Sequence, residues 1–406
     1  MSETSKADTA ATPDPKQLVA RAREMIQQIG ARAPEARLAR RVPEQTISEI
    51  EEAGFFRILQ PVRWGGYEME PQVFYDVLIA LAEADMSVGW VYGVLGVHPW
   101  LMGLMDDRAV REVWGNDNRV RLCSSLMPVG RAEPIDVGFR LRGHWRFASG
   151  CHHAQWALLG GAVQSDAAGP PDIRLFLVPQ SDYRIADSWY VSGLCATGSE
   201  DILVDETIVP AHRTRRMEDN LRCVGPGQAI NPSPLYKLPF GQIFFRGVSS
   251  PSIGALAAML NSFVAYSRQR SGPAGKAIED PVAQQICAET TAAIDEMKLI
   301  LHRNMTGLFE FAQRGEIPPM ELRYQFKFQS AATSHRCAEL AARLMRATGA
   351  AGIYNDHPFG HALADINAGR QHIANQVEMI GRNWGARMLG GKERFHVVRA
   401  GLTIVE

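Results

Sequence analysis

The stretch WRFASGCHHAQWALLGGAV, residues 145–163, gathers the residue types from which catalytic sites are made. Cys151, His152 and His153 could ligate a metal, or a thiol and an imidazole could act as nucleophile and base. Ser149-Gly150 could instead form a turn whose backbone and hydroxyl approach a planar ring. Neighbouring side chains in a strand project to alternate faces, so three adjacent ligands cannot converge on one ion. No second Cys/His pair follows at ligand spacing, so a metal site is not expected. A nucleophilic thiol needs a separate base and an oxyanion hole. Nothing nearby specifies either, and an isolated cysteine is usually a small buried hydrophobe. The Ser-Gly turn remains, because glycine lets backbone come close to a ligand. An ordinary β-turn with a capping serine has the same pattern, and this stretch alone does not separate the two.

The elements that must position this turn fall into three parts. The first third is helical: QLVARAREMIQQIGARAPEARLARR, PEQTISEIEEAGFFRIL and the apolar PQVFYDVLIALAEADMSVGWVYGVLGVHPWLMGLM carry helical spacing and start and stop signals. From RVRLCSSLMPVG to Pro210, short alternating runs are bounded by Gly, Pro and Asp, which is strand and turn chemistry. CVGPGQAINPSPLYKLPFGQ reads as a crossing loop, and long helices return after it. The last of these is expected to run unbroken through HALADINAGRQHIANQVEMIGRNWGARMLGG. The expected boundaries are a flexible lead (1–16), a helical domain (17–118), a β-domain (119–212), a connecting loop (213–245) and a helical bundle (246–406).

Composition narrows the function classes. With 406 residues, 46% of them hydrophobic, the chain can bury a large core. Its 43 basic and 44 acidic residues nearly cancel, so no nucleic-acid partner is expected. HRTRR (212–216) reads as a solvated loop rather than a phosphate patch. No apolar run approaches the roughly 20 residues that span a bilayer, and no export signal is expected from the polar lead. Six scattered cysteines without CxxC suggest reduced thiols and a cytoplasmic protein.

Other stretches extend the pattern. Trp90 in SVGW is followed eight residues later by His98 in GVHPW. Then come LCSSLMP (122–128), WRFASGCHHA (145–154), DSWYVSGLCATGSEDILVDETIVP (187–210) and a D-x3-G-x2-H pattern over 365–372. This ordered set, from about residue 17 onward, resembles the oxygenase component of two-component flavin-dependent aromatic hydroxylases, which have the acyl-CoA dehydrogenase fold. It is similar to 4-hydroxyphenylacetate 3-hydroxylase oxygenase and to the monooxygenase of phenolic secosteroids, and more distantly to dibenzothiophene monooxygenases. The resemblance implies an α+β chain with an N-terminal helical domain, a central β-domain and a C-terminal four-helix bundle that forms a homotetramer. It also implies reduced FMN or FAD as cofactor, O2 as co-substrate and an NAD(P)H-dependent flavin reductase as diffusive partner. The absence of a GxGxxG fingerprint in the sequence agrees with nicotinamide being used elsewhere.

The same resemblance implies roles for particular residues. Ser149 matches a serine beside flavin N5, where it would stabilise a C4a-hydroperoxide against loss of H2O2. His372 matches the histidine that would act as base toward the phenol, and His98 a histidine facing the substrate. Ser124 and Ser125 match a pair lining the flavin and substrate region, and Trp90 an aromatic pocket wall. Thr197 and Ser199 would pass near the cofactor, while Arg270, with Arg268 nearby, lies where a guanidinium would reach a flavin phosphate. Asn367 stands where close relatives carry a histidine, so the substrate pocket could differ there. His152 stands where a carboxylate is common, and His357 and His361 read as surface residues.

A binding or scaffold protein that kept the fold but lost its chemistry is argued against by Ser149 and both histidines, and two other readings stay open from sequence. An acyl-CoA dehydrogenase would share the fold, but INAGRQHIANQ after Asp365 offers no carboxylate before Glu378. A heteroatom- or indole-oxidising monooxygenase would need no phenol deprotonated. His372→Ala separates these oxygenase readings. With a phenol it is expected to lower turnover by roughly 10²- to 10⁴-fold, whereas retention of most activity would point to heteroatom oxidation.

Overall fold

The computed structural model describes residues 12–164, 171–272 and 275–391. Most of the expected flexible lead therefore lies outside the described residues. Six helices come first: α1 (Pro15–Glu24), α2 (Ile26–Ala39), α3 (Glu44–Glu52), α4 (Pro71–Ala84), α5 (Met86–Met102) and α6 (Asp107–Trp114). The sheet follows with β1 (Leu122–Ile135), β2 (Gly138–Ala148), β3 (Trp156–Val163), β4 (Ile173–Pro179), β5 (Arg184–Ala186), β6 (Glu200–Pro210) and β7 (Thr214–Arg216). Short helices α7 (Met217–Leu221), α8 (Phe240–Ile243) and α9 (Arg246–Ser249) lead to α10 (Pro251–Gln269) and a small hairpin, β8 (Ser271–Gly272) with β9 (Gly275–Lys276). Then come α11 (Pro281–Gln313), α12 (Met320–Thr348), α13 (Pro358–Arg370) and α14 (Val377–Met388).

Helix α5 is buried on every side. An all-round apolar helix belongs in a core, and this one lies among α4, α9, α10 and the central strand β1 of the sheet. It is started by Asp85, whose extended backbone ends α4. The Asp85 carboxylate accepts from Ser87 N at 2.7 Å and Val88 N at 3.1 Å, satisfying two donors that a helix start leaves free.

The strand order is β5-β6-β2-β1-β3-β4-β7. β1 and β2 form an antiparallel hairpin, whereas β3 returns parallel to β1. That return passes through residues 149–155, so the topology puts the Ser149 turn at the end of β2, against α5. The β2–β6 register shifts between Trp145 and Ala148. Phe147 sits in the irregularity with φ 68°, and a bulge of this kind re-aims the residues after it. In the last part, α10 and α12 pack on each other, and each also packs on α11 and α13.

Three expectations change. The last helix is not continuous: it stops at Arg370, a one-turn helix covers Ile373–Asn375, and α14 follows. The fully buried Asn375 amide donates to Gly369 O at 2.8 Å and Val248 O at 3.2 Å, so a side chain takes a carbonyl that a continuing helix would use. HRTRR is not a solvated loop. Thr214–Arg216 extends the sheet beyond residue 212, and buried Arg215 donates to Leu104 O, Val224 O and Asn220 Oδ1. Those bonds leave it unavailable to a phosphate. Finally, the helical stretch Phe240–Gln269 is long and apolar enough to cross a membrane by length and composition, yet most of it is buried inside the protein. It reads as the core of the bundle.

Asp85→Ala is expected to cost about 1–2 kcal/mol in urea unfolding, the usual worth of a helix cap. Asp85→Asn, which keeps an acceptor oxygen, should stay within about 0.5 kcal/mol of the parent protein. Equal loss in both variants would assign the effect to charge instead of capping.

Candidate active site

The site grows from Trp90, on the face of α5 turned toward the β-domain and α13. Its indole Nε1 donates to Ser149 Oγ at 3.1 Å, and its ring meets His372 edge-on at 5.7 Å between centroids. Three of the expected residues are thus in one place, contributed by three different parts of the chain. Gly150, at φ 70°, faces Val91 and Leu95 of α5 so closely that an added Cβ would meet both side chains. Glycine is required there for conformation and for space.

A second turn locks onto the first. Gly150 N donates to Thr197 O at 3.0 Å, and Ser149 Oγ lies 2.7 Å from Ser199 Oγ. Ser199 Oγ lies 2.7 Å from Thr197 Oγ1, which lies 2.9 Å from Leu194 O. The carbonyl can only accept and the indole N–H can only donate. With both ends fixed, each hydroxyl must donate toward Leu194: Ser149 to Ser199, Ser199 to Thr197, and Thr197 to the carbonyl. Ser149 then has its proton committed and one lone pair taken by Trp90, leaving one acceptor position. That position can accept a hydrogen bond from a ligand's N–H or O–H. Thr197 and Ser199, expected to pass near the cofactor, lie in the hydrogen-bond chain that holds Ser149.

His372 N-caps the short turn that follows α13, and its Nδ1 accepts from Ala374 N at 3.1 Å. Burial lowers its pKa to about 4, so the ring is neutral near pH 7. The neutral tautomer with an accepting Nδ1 carries its proton on Nε2. In this geometry His372 presents a donor, and the expected base role would require the Ala374 bond to break. His98 is completely buried, has the Val94 backbone of its own helix as its only polar neighbour among the described residues, and meets Phe244 edge-on at 5.4 Å. Burial also lowers its pKa to about 4.

The serine pair divides. Ser125 donates to Arg146 O at 2.8 Å, whereas Ser124, on the opposite face of β1, is buried with no hydroxyl bond among the described residues. Ser125 has committed its proton and keeps only acceptor capacity, whereas Ser124 can still donate to a ligand. Asn367 donates from Nδ2 to Leu363 O at 2.9 Å, its own helix's carbonyl. Arg270 lies at the far end of α10 and donates to Ala347 O and Thr348 O, both at 3.1 Å, holding the end of α12. Within this chain the structure does not bring Arg270 to the Ser149 group. His361 lies on α13 and His357 caps it, packed beside Tyr266 and Phe359, so neither is a simple surface residue.

The Cys-His-His run separates as well. The Cys151 thiol approaches Gly198 O, His152 faces Glu200 at 3.9 Å, and His153 Nδ1 lies 2.8 Å from Glu44. Burial pushes the Cys151 thiol up to about 12, far from a nucleophilic thiolate.

Asp365, which the sequence marks only as the first residue of the D-x3-G-x2-H pattern, and several residues without a sequence signal complete the site. Asp365 Oδ1 accepts from Leu194 N at 2.6 Å, fixing the peptide at which the hydroxyl chain ends. Asn375 holds the turn that presents His372. Phe147 is exposed and meets Trp189 edge-on at 6.0 Å, forming an aromatic rim beside Ser149. Arg246, two residues from Phe244, is buried with no hydrogen-bond partner for its three guanidinium nitrogens among the described residues, and burial lowers its pKa to about 10. A Phe-Phe-Arg-Gly run would ordinarily leave that charge in water.

Comparison with known proteins follows the same lines. Residues 246–377 match the family model described as acyl-CoA dehydrogenase, C-terminal domain. Over 350 residues, 86% of this chain and 91% of the relative, the sequence is 37% identical to the flavin-dependent monooxygenase, oxygenase subunit HsaA, of Rhodococcus jostii (strain RHA1). It is 31% identical over 401 residues, 94% of this chain and 98% of the relative, to the FADH(2)-dependent resorcinol hydroxylase, oxygenase component, of Rhizobium sp. (strain MTP-10005). The crystal structure of 3-HSA hydroxylase from Rhodococcus sp. RHA1 superimposes with a TM-score of 0.90 at 34% identity, over 94% of this chain and 99% of that one.

The buried groups set opposing pH dependences. His98 and His372, with pKa about 4 against roughly 6.5 when unfolded, make stability fall as pH drops from about 6.5 toward 4. Asp365 is raised to about 7 by burial and by Asp85, so its contribution is full below about 4 and lost as pH rises through 7. Asp365→Asn removes the opposing contribution. The urea midpoint of the variant should therefore decline more steeply on acidification between about pH 6.5 and 4.5 than that of the parent. Identical slopes would show that Asp365 titrates normally.

Proposed function

The chain belongs to the oxygenase subunits of two-component flavin-dependent monooxygenases, built on the acyl-CoA dehydrogenase fold, and on that premise we propose that it hydroxylates a phenolic or similarly electron-rich aromatic ring. An oxygenase subunit works with a separate reductase. Here that partner is an NAD(P)H-dependent enzyme that releases reduced FMN or FAD by diffusion. The working form is a homotetramer in the cytoplasm. The relatives named above as resorcinol and 3-HSA hydroxylases support a phenolic substrate.

The observation that carries the reading is the acceptor position left on Ser149, buried beside Trp90 and His372. Reduced flavin, when bound, supplies the activation of O2. Ser149 would accept a hydrogen bond from the N5–H of the bound cofactor, leaving the proton on N5. The apolar side chains around it, among them Val91, Leu95 and Trp90, keep water from that proton. His372 offers Nε2–H to the substrate oxygen, which stabilises negative charge developing on a phenol as its ring becomes a nucleophile. His98 and Ser124 supply polar groups with spare hydrogen-bonding capacity inside an otherwise apolar wall, suited to orienting a ring substituent. The acyl-CoA dehydrogenase reading lacks its base, because Glu378, the first carboxylate after Asp365, is exposed on α14.

The test is rapid mixing of the protein and chemically reduced FMN or FAD with oxygenated buffer, without substrate. A transient lasting seconds, with a spectrum of neither reduced nor oxidised flavin, is expected. Ser149→Ala should shorten it at least about tenfold, the worth of one hydrogen bond to a reacting group. One-step reoxidation with stoichiometric H2O2 in the parent protein would overturn the proposal.

A further inference from the structure

The hydroxyl chain beside Ser149 has a direction, and its direction has a chemical consequence. Its far end is held from several sides. Leu194, a non-glycine residue at φ 54°, accepts at its carbonyl from Thr197 Oγ1 (2.9 Å), Thr197 N (3.1 Å) and Trp189 Nε1 (2.9 Å). Its N–H donates to Asp365 Oδ1 at 2.6 Å, and Arg37 lies 3.7 Å from the other carboxylate oxygen. The peptide is thus held by the first helical domain, the β-domain and α13 together. A carbonyl so placed cannot turn away, and a hydroxyl oxygen 2.9 Å from it must point its proton there.

We propose that Leu194, anchored by Asp365, together with Thr197 and Ser199 forms a one-way hydroxyl chain that keeps the Ser149 proton away from the cofactor and thereby selects reduced over oxidised flavin. This rests on Ser149 facing flavin N5. Reduced flavin carries a proton at N5 and needs an acceptor. Oxidised flavin has a bare N5 lone pair and needs a donor. A serine with a free rotor would serve both forms, because its hydroxyl can donate or accept. Ser149 is deprived of that freedom, since Ser199 takes its proton and Trp90 fills one lone pair. Thr197 and Ser199 touch no cofactor in this scheme and are positioning residues. The selectivity suits a subunit that receives its flavin already reduced and gives it up after oxidation.

The scheme is tested by measuring dissociation constants of reduced FMN and FAD anaerobically, and of the oxidised forms in air, for the parent protein and three variants. The parent should bind reduced flavin at least about tenfold more tightly than oxidised. Thr197→Val preserves side-chain shape but removes the link to Leu194, freeing Ser199 and then Ser149 to reorient, so the ratio should collapse to within about threefold. Thr197→Ser restores the hydroxyl and should restore the ratio. Ser199→Ala leaves the Ser149 proton without its acceptor and should move preference toward oxidised flavin. Equal affinity of the parent for both forms, an unchanged ratio in Thr197→Val, or equal loss in Thr197→Val and Thr197→Ser would each overturn the directional chain. Failure of the parent to bind either form would instead sink the flavin site itself. Urea midpoints of the variants, expected within about 1.5 kcal/mol of the parent's stability, separate loss of direction from loss of fold.

Discussion

The indole N–H of Trp90 has one proton to give, and much of the site depends on where it goes. Directed at Ser149, it joins α5 to the turn after β2 and fills one lone pair of the serine. The face of the same ring supports His372. For this to occur, α5 must be the central buried helix, Gly150 must allow the turn to press against it, and α13 must end where it does. A buried indole N–H without a partner would be costly, so the turn's position and the helix's rotation are tied together. The β2 irregularity at Phe147 is part of the same constraint, since it sets how the chain leaves the strand.

From this contact, polarity runs in a fixed direction. Hydroxyl groups usually adapt, because their protons rotate at little cost. Here a donor-only group at one end and an acceptor-only group at the other remove that freedom from three hydroxyls in series. Burial strengthens the effect, because no water competes for the bonds and a misdirected proton would leave an oxygen facing an oxygen. The chain therefore turns a set of ordinary side chains into a site that accepts without donating.

The histidines show burial acting in another way. Desolvation lowers the pKa of both His98 and His372 to about 4, so neither ring carries charge at neutral pH. His372 is further specified by one backbone bond, which assigns its proton to Nε2. That bond exists only because α13 is interrupted, and the interruption is held by Asn375 reaching Val248 and Gly369. A side-chain amide thus decides which ring nitrogen of His372 carries its proton.

The three-part architecture was legible in the sequence, because hydrophobic period and turn chemistry are local properties. Helical spacing marked the first and last thirds, and short alternating runs marked the sheet. The ordered motifs around Trp90, His98, Ser149 and His372 pointed to a family and to its flavin chemistry. What sequence could not reveal was the break after Arg370, the burial of Arg215 within a basic run, or the division of Ser124 from Ser125. Nor could it show that Thr197 and Ser199 serve Ser149, or that Arg270 grips the end of α12. Each of these depends on which distant carbonyl or carboxylate lies within hydrogen-bond reach. That is set by packing between segments far apart in the chain, and no local pattern of residue types encodes it.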